Sequence, residues 1–425
     1  MDWHDKHILI FGKGKSGVAA YARLKALGAV PVYYDDADVR PIGRQYSAEQ
    51  VLEGRWDCAV LSPAVRPDND MLLSLGRMGV PTMSEIDLGW TLYGGKIIAI
   101  TGTNGKTTTV RQTEKLLRDM GVKAEAVGNV GVPFCMVGAE TEVAVVEISS
   151  FQCHQSVLFA PDIAVITNLA PDHVEWHGSL AAYRSAKCKL LDMAKGYALN
   201  VDDPDLMRVK DKPCYPYSLT DTATCVFVDK REVCVRVGGA VHRVAKVEEL
   251  PLRGNHNLYN VLCALTLTVA TAGYSESFRQ SLLTFKGERM RVEQLTTHRP
   301  LVFNDSKGTN TAATIAAMRQ MVGETVLLLG GWDKGEDFTR LFMQIPESTS
   351  LVTFGAAGGR IMCEAERFGF GDVTYAETLK EAVQVAVSKD KDNILFSPAC
   401  SSFDAYASYV ERGLDFEKEI AVYFN

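Results

Sequence analysis

The chain has 425 residues, 47% hydrophobic and 23% charged, with a formal net charge of −7 and a pI near 5.7. That length predicts two to four packed domains, and the acidic balance gives no support to nucleic-acid or membrane-surface binding. Residues 1–5 do not form a signal peptide and no apolar run reaches membrane-spanning length; the ten cysteines include no C-x-x-C pair and read as free thiols, so a cytoplasmic protein is expected.

Residues 7–12 predict a first strand, followed by Gly12-Lys13-Gly14-Lys15-Ser16-Gly17, a helix to Leu27, and a strand at 30–34 that ends in Asp35 and Asp36. This is a βαβ unit with G-x-G-x-x-G and acidic residues about 20 positions on, a pattern that reports a phosphate near a helix N-terminus and by itself suggests NAD. A strand at 57–62 and a helix at 70–79 continue an α/β domain that ends near residue 93.

Residues 96–100 predict a buried strand, short, apolar and β-branched. Gly102-Thr103-Asn104-Gly105-Lys106-Thr107-Thr108 follows, and then a helix with Val110, Leu116, Leu117 and Met120 on one side and Gly121 as its stop. Strand, glycine loop with lysine, and helix is the order that holds a nucleotide triphosphate. Backbone N–H groups and the helix N-terminus face phosphate, Lys106 is a point charge, and the Thr107 hydroxyl can ligate Mg²⁺. Ile100 stands where the strict motif has its first glycine.

A strand at 142–148 ends in Glu147, which reads as a Mg²⁺ ligand or as a capping or surface carboxylate. A strand at 162–167 ends in the segment Asn168–Asp172–His173. Because ligands in parallel sheets sit beyond the carboxyl ends of strands, Lys106, Glu147 and His173 should converge. The run from His173 to His177 is not H-E-x-x-H, so a zinc-protease site is not expected. A helix at 179–193 carries Lys187, on its residues alone a solvated lysine. Alternation at 224–244 predicts a small antiparallel insert, and helices follow at about 257–272 and 276–284.

From about 288 the α/β rhythm returns, with strands at 301–304, 325–329, 351–354 and 393–396 and helices at about 310–321, 358–368, 378–388 and 401–421. Three strand ends are dense in polar residues: 304–310, 330–334 and 397–403. They read as loop and capping chemistry or, taken together on one sheet edge, as a ligand site.

The chain resembles the Mur ligase family over essentially its whole length. The markers are Gly102–Thr108, Gly128-Asn129-Val130-Gly131, 147–152, Asp172-His173, 183–187, Asn255-His256-Asn257, Arg291, 304–310, 330–334 and 397–403. The resemblance implies three α/β domains: a Rossmann-like domain at 1–93 for the UDP substrate, a central P-loop-type domain at 94–287 with the antiparallel insert, and a Rossmann-like domain at 288–425 for the amino acid and closure. It implies ATP-dependent addition of D-glutamate to UDP-N-acetylmuramoyl-L-alanine in peptidoglycan precursor synthesis, through an acyl phosphate, by a monomer with no nucleic-acid or membrane partner. Gly12–Gly17 would then hold the UDP diphosphate with Lys15 and Ser16, and Asp35 or Asp36 would lie near uridine. Asn129 and Gln152 would face the muramoyl group. Gly102, Thr103, Asn104, Gly105, Lys106, Thr107 and Thr108, with Asn257, Asn260, Arg291 and Asp305, would hold ATP.

Mg²⁺ would fall to Thr107, Glu147, His173 and Lys187, the last matching the lysine that carries a carbamate; Lys106, His173 and Lys187 would be the catalytic residues. D-Glutamate would fall to Lys307, Thr309, Lys334, Ser402 and Tyr409. The sequence departs from the family's habit at Ala64, where glycine is usual, at Met290, where histidine often precedes the arginine, and at Tyr409, where phenylalanine is usual. A nicotinamide-dependent oxidoreductase would leave Lys106, Glu147 and 305–307 idle, and a nucleotide-driven binding switch would need no amino-acid pocket. Within the resemblance, other Mur-type and folylpolyglutamate-type ligases are the alternatives.

Overall fold

The computed structural model describes residues 2–36, 43–206, 209, 211–252, 254–332 and 335–424, with the side chains at 174 and 175 excepted. The chain divides into two compact units, Met1–Phe285 and Lys286–Asn425.

The first unit holds two sheets. The smaller has the strand order Val30–Tyr34, His7–Phe11, Cys58–Leu61, Thr82–Ser84, all parallel. The larger has nine strands, in the order Ala240–Lys246, Glu232–Val237, Val226–Asp229, Cys214–Ser218, Gly196–Asn200, Ile163–Ile166, Lys96–Thr101, Val143–Glu147, Ala124–Gly128. Its middle is parallel because each strand is an apolar, β-branched run covered on both faces. Ile98 and Ile100 pack with Val110, Leu116 and Leu117, whereas Ile97 and Ala99 pack with Ala144, Val146 and Leu190. The period of two thus feeds two cores, and each fully buried aliphatic side chain contributes about 1.5–3 kcal/mol. The expected antiparallel stretch extends this sheet. Val226–Asp229 pairs parallel with Cys214–Ser218 and antiparallel with Glu232–Val237, which pairs antiparallel with Ala240–Lys246.

Asp87 ties the smaller sheet to the larger. It is fully buried in the helix Glu85–Leu92. Its carboxylate closes a capping box with Ser84 and also accepts from the backbone N–H groups of Val157, Leu158 and Phe159, at 2.9–3.1 Å.

The second unit has the strand order Glu293–Gln294, Leu301–Asn304, Asn393–Ala399, Thr325–Gly330, Ser350–Phe354, Val373–Ala376, parallel except for the first pair. The helix expected at 401–421 runs instead over Tyr409–Phe424. Residues 401–408 stay irregular because their backbone is engaged elsewhere: Trp332 N–H donates to the Ser401 carbonyl at 2.8 Å, and Arg412 donates to the same oxygen at 3.0 Å.

Candidate functional site

The helix Lys106–Asp119 begins directly behind a glycine turn, with Gly102 at φ +145° and Gly105 at φ +80°. These angles suit glycine, and space demands it as well. A Cβ on Gly102 would sit 2.0 Å from Thr167 Oγ1, and one on Gly105 2.3 Å from Asn260 Oδ1. The loop is clamped from the neighbouring strand end. Thr103 Oγ1 shares a hydrogen bond with the Tyr183 hydroxyl at 2.8 Å and accepts from Ala170 N–H at 2.9 Å. Thr167 Oγ1 and Asn168 Nδ2 both donate to the Asn104 carbonyl, at 2.6 and 2.9 Å. Lys106 Nζ lies 2.9 Å from the carbonyl oxygens of Gly102 and Thr103. Thr107 and Thr108 are buried in the first helical turn. Thr109 Oγ1 donates to Asn260 Oδ1 at 3.3 Å, and Asn260 Nδ2 to Asn257 Oδ1 at 3.4 Å, so Asn260 lies against the loop and the first helical turn with Asn257 behind it.

A cavity of about 380 Å³ opens beside the loop, lined by Asn104, Gly105, Asp202, His256, Tyr259 and Asn260 among others. A larger groove of about 780 Å³, lined by Trp90, Lys96, Asp162 and Lys195 among others, lies at the amino ends of the same strands. Ligands in parallel sheets collect beyond the carboxyl ends, which favours the smaller cavity as the nucleotide site.

Glu147 ends the strand next to the loop strand, in register with Ile100. It is buried; Oε1 accepts from Asn129 Nδ2 at 3.0 Å, while Oε2 has no hydrogen-bond partner among the described residues. A buried carboxylate oxygen left unpaired is costly unless a cation or donor completes it. Lys187, 2% exposed, donates to the Gly102 carbonyl at 2.7 Å and to Thr101 Oγ1 at 3.2 Å. Burial, reinforced by the Lys106 charge, holds its amine down at about 8. The periodicity of the helix Leu180–Met193 does not disclose this: what buries Lys187 is the loop, 85 residues earlier in the chain.

His173 sits at φ +47°, exposed, with Nε2 3.4 Å from Asp172 Oδ2 and its ring centroid 4.8 Å from that of Phe151. His177 instead packs among Phe151, Trp176 and Tyr183. Burial lowers its pKa to about 4, so it is neutral at pH 7. Gln152 closes a capping box: its Oε1 accepts from Ser149 N–H at 2.9 Å, and its N–H donates to Ser149 Oγ at 3.2 Å.

In the smaller sheet, Lys15 and Ser16 open the helix Lys15–Ala26, whose N-cap Gly14 supplies no side-chain cap. Asp35 Oδ2 accepts from Lys13 N–H at 2.8 Å, and Lys13 Nζ donates to Gln45 Oε1 at 2.7 Å. Asp36 accepts from the Tyr34 hydroxyl and from Asn69 Nδ2. Asp35 therefore meets the glycine loop, whereas Asp36 turns to Tyr34 and Asn69. Asn69, 33 positions from Asp36, carries no motif that would have announced it.

In the second unit, Asp305 Oδ2 accepts from Ser397 Oγ at 2.6 Å and Oδ1 from Val292 N–H at 3.2 Å. Burial raises this carboxyl to about 7. Lys307 Nζ pairs with Glu288 Oε1 at 2.7 Å and lies 5.9 Å from the Tyr409 ring centroid. Arg291 Nε is 3.6 Å from Glu288 Oε2. Thr309 follows in the same loop, its N–H on the Lys307 carbonyl at 2.9 Å. Ser402 is buried, and its carbonyl accepts from Tyr406 N–H at 2.9 Å. Lys334 lies outside the described residues.

The profile of the Mur ligase middle domain matches residues 100–268. The chain is 31% identical to the UDP-N-acetylmuramoylalanine–D-glutamate ligase of Thermoanaerobacter pseudethanolicus, over 99% of each chain. It is 34% identical to the protein of the same name from Koribacter versatilis, over 98% of each. Among solved structures it is similar to the UDP-N-acetylmuramate–alanine ligase of Thermotoga maritima, with a TM-score of 0.60 and 18% identity over 99% of this chain and 100% of that one. It is also similar to the MurF ligase of Thermotoga maritima in complex with ADP, with a TM-score of 0.59 and 15% identity over 99% and 96%. At such identities the structural likeness speaks for the fold alone.

Proposed function

The chain belongs to the Mur ligase family, among its UDP-N-acetylmuramoylalanine–D-glutamate ligases, and from that premise we propose that it makes its amide bond through an acyl phosphate. It is an ATP-dependent ligase of peptidoglycan synthesis, joining D-glutamate to UDP-N-acetylmuramoyl-L-alanine. A carboxylate is a poor electrophile. Phosphorylating the terminal alanine carboxylate supplies a leaving group, and the amine of D-glutamate then displaces phosphate.

The observation that carries this reading is the meeting of Lys106, Lys187 and the half-paired Glu147 at adjacent strand ends of one sheet. The glycine loop and the N-terminus of the helix Lys106–Asp119 bind and orient the triphosphate, and Lys106 offsets its charge. Asn257 and Asn260 help to hold the nucleotide, and the cavity beside the loop, which Asn260 lines, takes the nucleoside. In the second unit Lys307, Thr309, Lys334 and Ser402 bind D-glutamate. Lys15 and Ser16, at a helix N-terminus whose N-cap Gly14 provides no side-chain cap, take the UDP diphosphate, with Asp35 and Asp36 toward uridine. Asn129 and Gln152 face the muramoyl group. The corresponding domains are 1–93, 94–287 and 288–425.

The residues fit a hydrated Mg²⁺. Glu147 Oε2 is a buried, unclaimed acceptor, and Mg²⁺ takes few carboxylates and keeps waters. Glu147 and Thr107 would hold it, with His173 and Lys187 completing the set. When bound, it neutralises phosphate oxygens and polarises the phosphoryl group. Lys187 suits a carbamate: its amine, depressed to about 8, is substantially neutral near pH 8. That amine adds to CO₂ and loses a proton, which turns a buried cation into an oxygen donor.

We further read the protein as a cytoplasmic monomer. Among the described residues no helix is long and apolar enough to cross a membrane, and the ten cysteines are free. The test of the acyl phosphate is borohydride trapping with ATP and UDP-N-acetylmuramoyl-L-alanine but no D-glutamate. Reduction of the acceptor's terminal carboxyl to an alcohol is expected. Unreduced acceptor in the presence of an active enzyme overturns the two-step route.

A further inference from the structure

Arg412 is wholly buried in the second unit, in the helix Tyr409–Phe424. Its guanidinium is spent on the polar strand ends. Nε donates to Ser306 Oγ at 3.2 Å and Nη2 to the Ser306 carbonyl at 2.9 Å. Nη1 donates to the carbonyls of Cys400 and Ser401, both at 3.0 Å. The third strand end abuts the same nitrogen: a Cβ on Gly331, at φ +123°, would lie 2.8 Å from Arg412 Nη1 and 2.3 Å from the Ser401 carbonyl. Trp332 N–H then donates to that carbonyl at 2.8 Å. Behind the guanidinium lies the Phe396 ring, 5.9 Å away. Among the described residues no carboxylate forms an ion pair with Arg412; carbonyl oxygens take its hydrogen bonds, and the charges of Asp404 and Asp305 act on it from beyond contact. An arginine is the side chain for this task, because a planar fork of donors reaches several carbonyls at fixed angles, which a lysine ammonium does not.

We propose that Arg412 is a positioning residue for the amino-acid substrate. It locks the loops that carry Lys307, Thr309 and Ser402 into one arrangement, and it adds a buried positive charge behind the pocket that receives a dicarboxylate. This rests on the assignment of D-glutamate to the second unit. Ser306 joins the device, since its hydroxyl accepts from Arg412 and donates to the Tyr409 carbonyl at 2.8 Å, linking the loop to the first residue of the helix.

The experiment is steady-state ligation by Arg412→Lys, Arg412→Met and Ser306→Ala, each checked by thermal melting, with KM measured separately for D-glutamate and ATP. Loss of charged hydrogen bonds predicts that Arg412→Met raises the D-glutamate KM by about tenfold to a hundredfold, with the ATP KM within about twofold of the parent. Arg412→Lys restores charge but not the fork and should fall between. If Arg412→Met fails to fold, Ser306→Ala decides, with an expected rise of about threefold to tenfold in the D-glutamate KM alone.

A general loss of stability with both KM values unchanged would overturn the proposal, as would equal rises in both. Ser402→Ala and Lys307→Ala separate the two layers. If they leave the D-glutamate KM unchanged, the pocket assignment is wrong; if they raise it while the Arg412 and Ser306 variants do not, the role of Arg412 is wrong.

Discussion

Lys187 Nζ lies 2.7 Å from the carbonyl oxygen of Gly102, the first glycine of the phosphate loop. A lysine so buried is a poor cation, and its depressed amine is the form that reacts with CO₂. Lys187→Ala should fold yet ligate at a small fraction of the parent rate, and short-chain carboxylates added to the assay should restore part of the activity by replacing an oxygen donor. Isotopically labelled CO₂ should mark the parent and not the variant. Full activity of the alanine variant would remove Lys187 from the chemistry.

Lys106 is the loop's own cation, with Nζ 2.9 Å from the Gly102 and Thr103 carbonyls. Lys106→Ala should slow acyl-phosphate formation by about 10² to 10³, the usual loss for one preorganised donor on developing charge. Quench-flow measurement at saturating ATP checks this. A near-parent rate would place the triphosphate elsewhere.

Asp305 gives a pH signature. Its carboxyl is raised to about 7 by burial, against the attraction of Arg291 and Lys307, with the buried Arg412 also nearby. An exposed aspartate titrates near about 4. Between these values the folded chain keeps a proton that the unfolded chain releases, so stability falls as pH rises. The contribution is complete below about pH 4 and gone above about pH 7. Asp305→Asn should flatten the fall in denaturant midpoint between those limits; an unchanged slope would mean that another group is responsible.

The Tyr409 ring lies 5.9 Å from Lys307 Nζ. Tyr409→Phe keeps that ring and should leave the D-glutamate KM nearly unchanged. Lys307→Ala should raise it by two or more orders of magnitude, about 3–5 kcal/mol, because a charged donor to a carboxylate is lost. A large effect of Tyr409→Phe would show that the hydroxyl itself is used.

The Asp87 carboxylate serves the backbone N–H groups of Val157, Leu158 and Phe159 at once. Asp87→Ala should cost about 3–5 kcal/mol, since three backbone donors, that of Phe159 buried, lose a charged acceptor. Chemical denaturation followed by far-UV circular dichroism measures it. A loss under about 1 kcal/mol would mean that water replaces the carboxylate.

What was legible in the sequence is what depends on neighbours along the chain. The strand Lys96–Thr101, its glycine turn and the helix behind it follow from local pattern, as do the polar strand ends of the second unit. What was not legible depends on distant partners. Asp87 is an ordinary N3 carboxylate until 157–159 fold onto it. Arg412 is an unremarked helix residue until three loops close around it. Gln152, expected to face substrate, also has its side-chain oxygen engaged by the Ser149 N–H and hydroxyl, two hydrogen bonds of the capping pattern that the Ser149–Gln152 spacing already contained. The strands Ala124–Gly128, Gly196–Asn200 and Cys214–Ser218 were likewise unmarked, being mixed or short runs whose pairing comes from the sheet.

The central claim is that ATP hydrolysis here is coupled to joining D-glutamate to UDP-N-acetylmuramoyl-L-alanine. The direct test is ADP release with that acceptor against a panel of amino acids, with product mass determined for each. ADP release that depends on both the acceptor and D-glutamate is predicted, with a product heavier than the acceptor by one glutamyl residue. Equal or faster turnover with another amino acid, or ADP release without a heavier product, would contradict it.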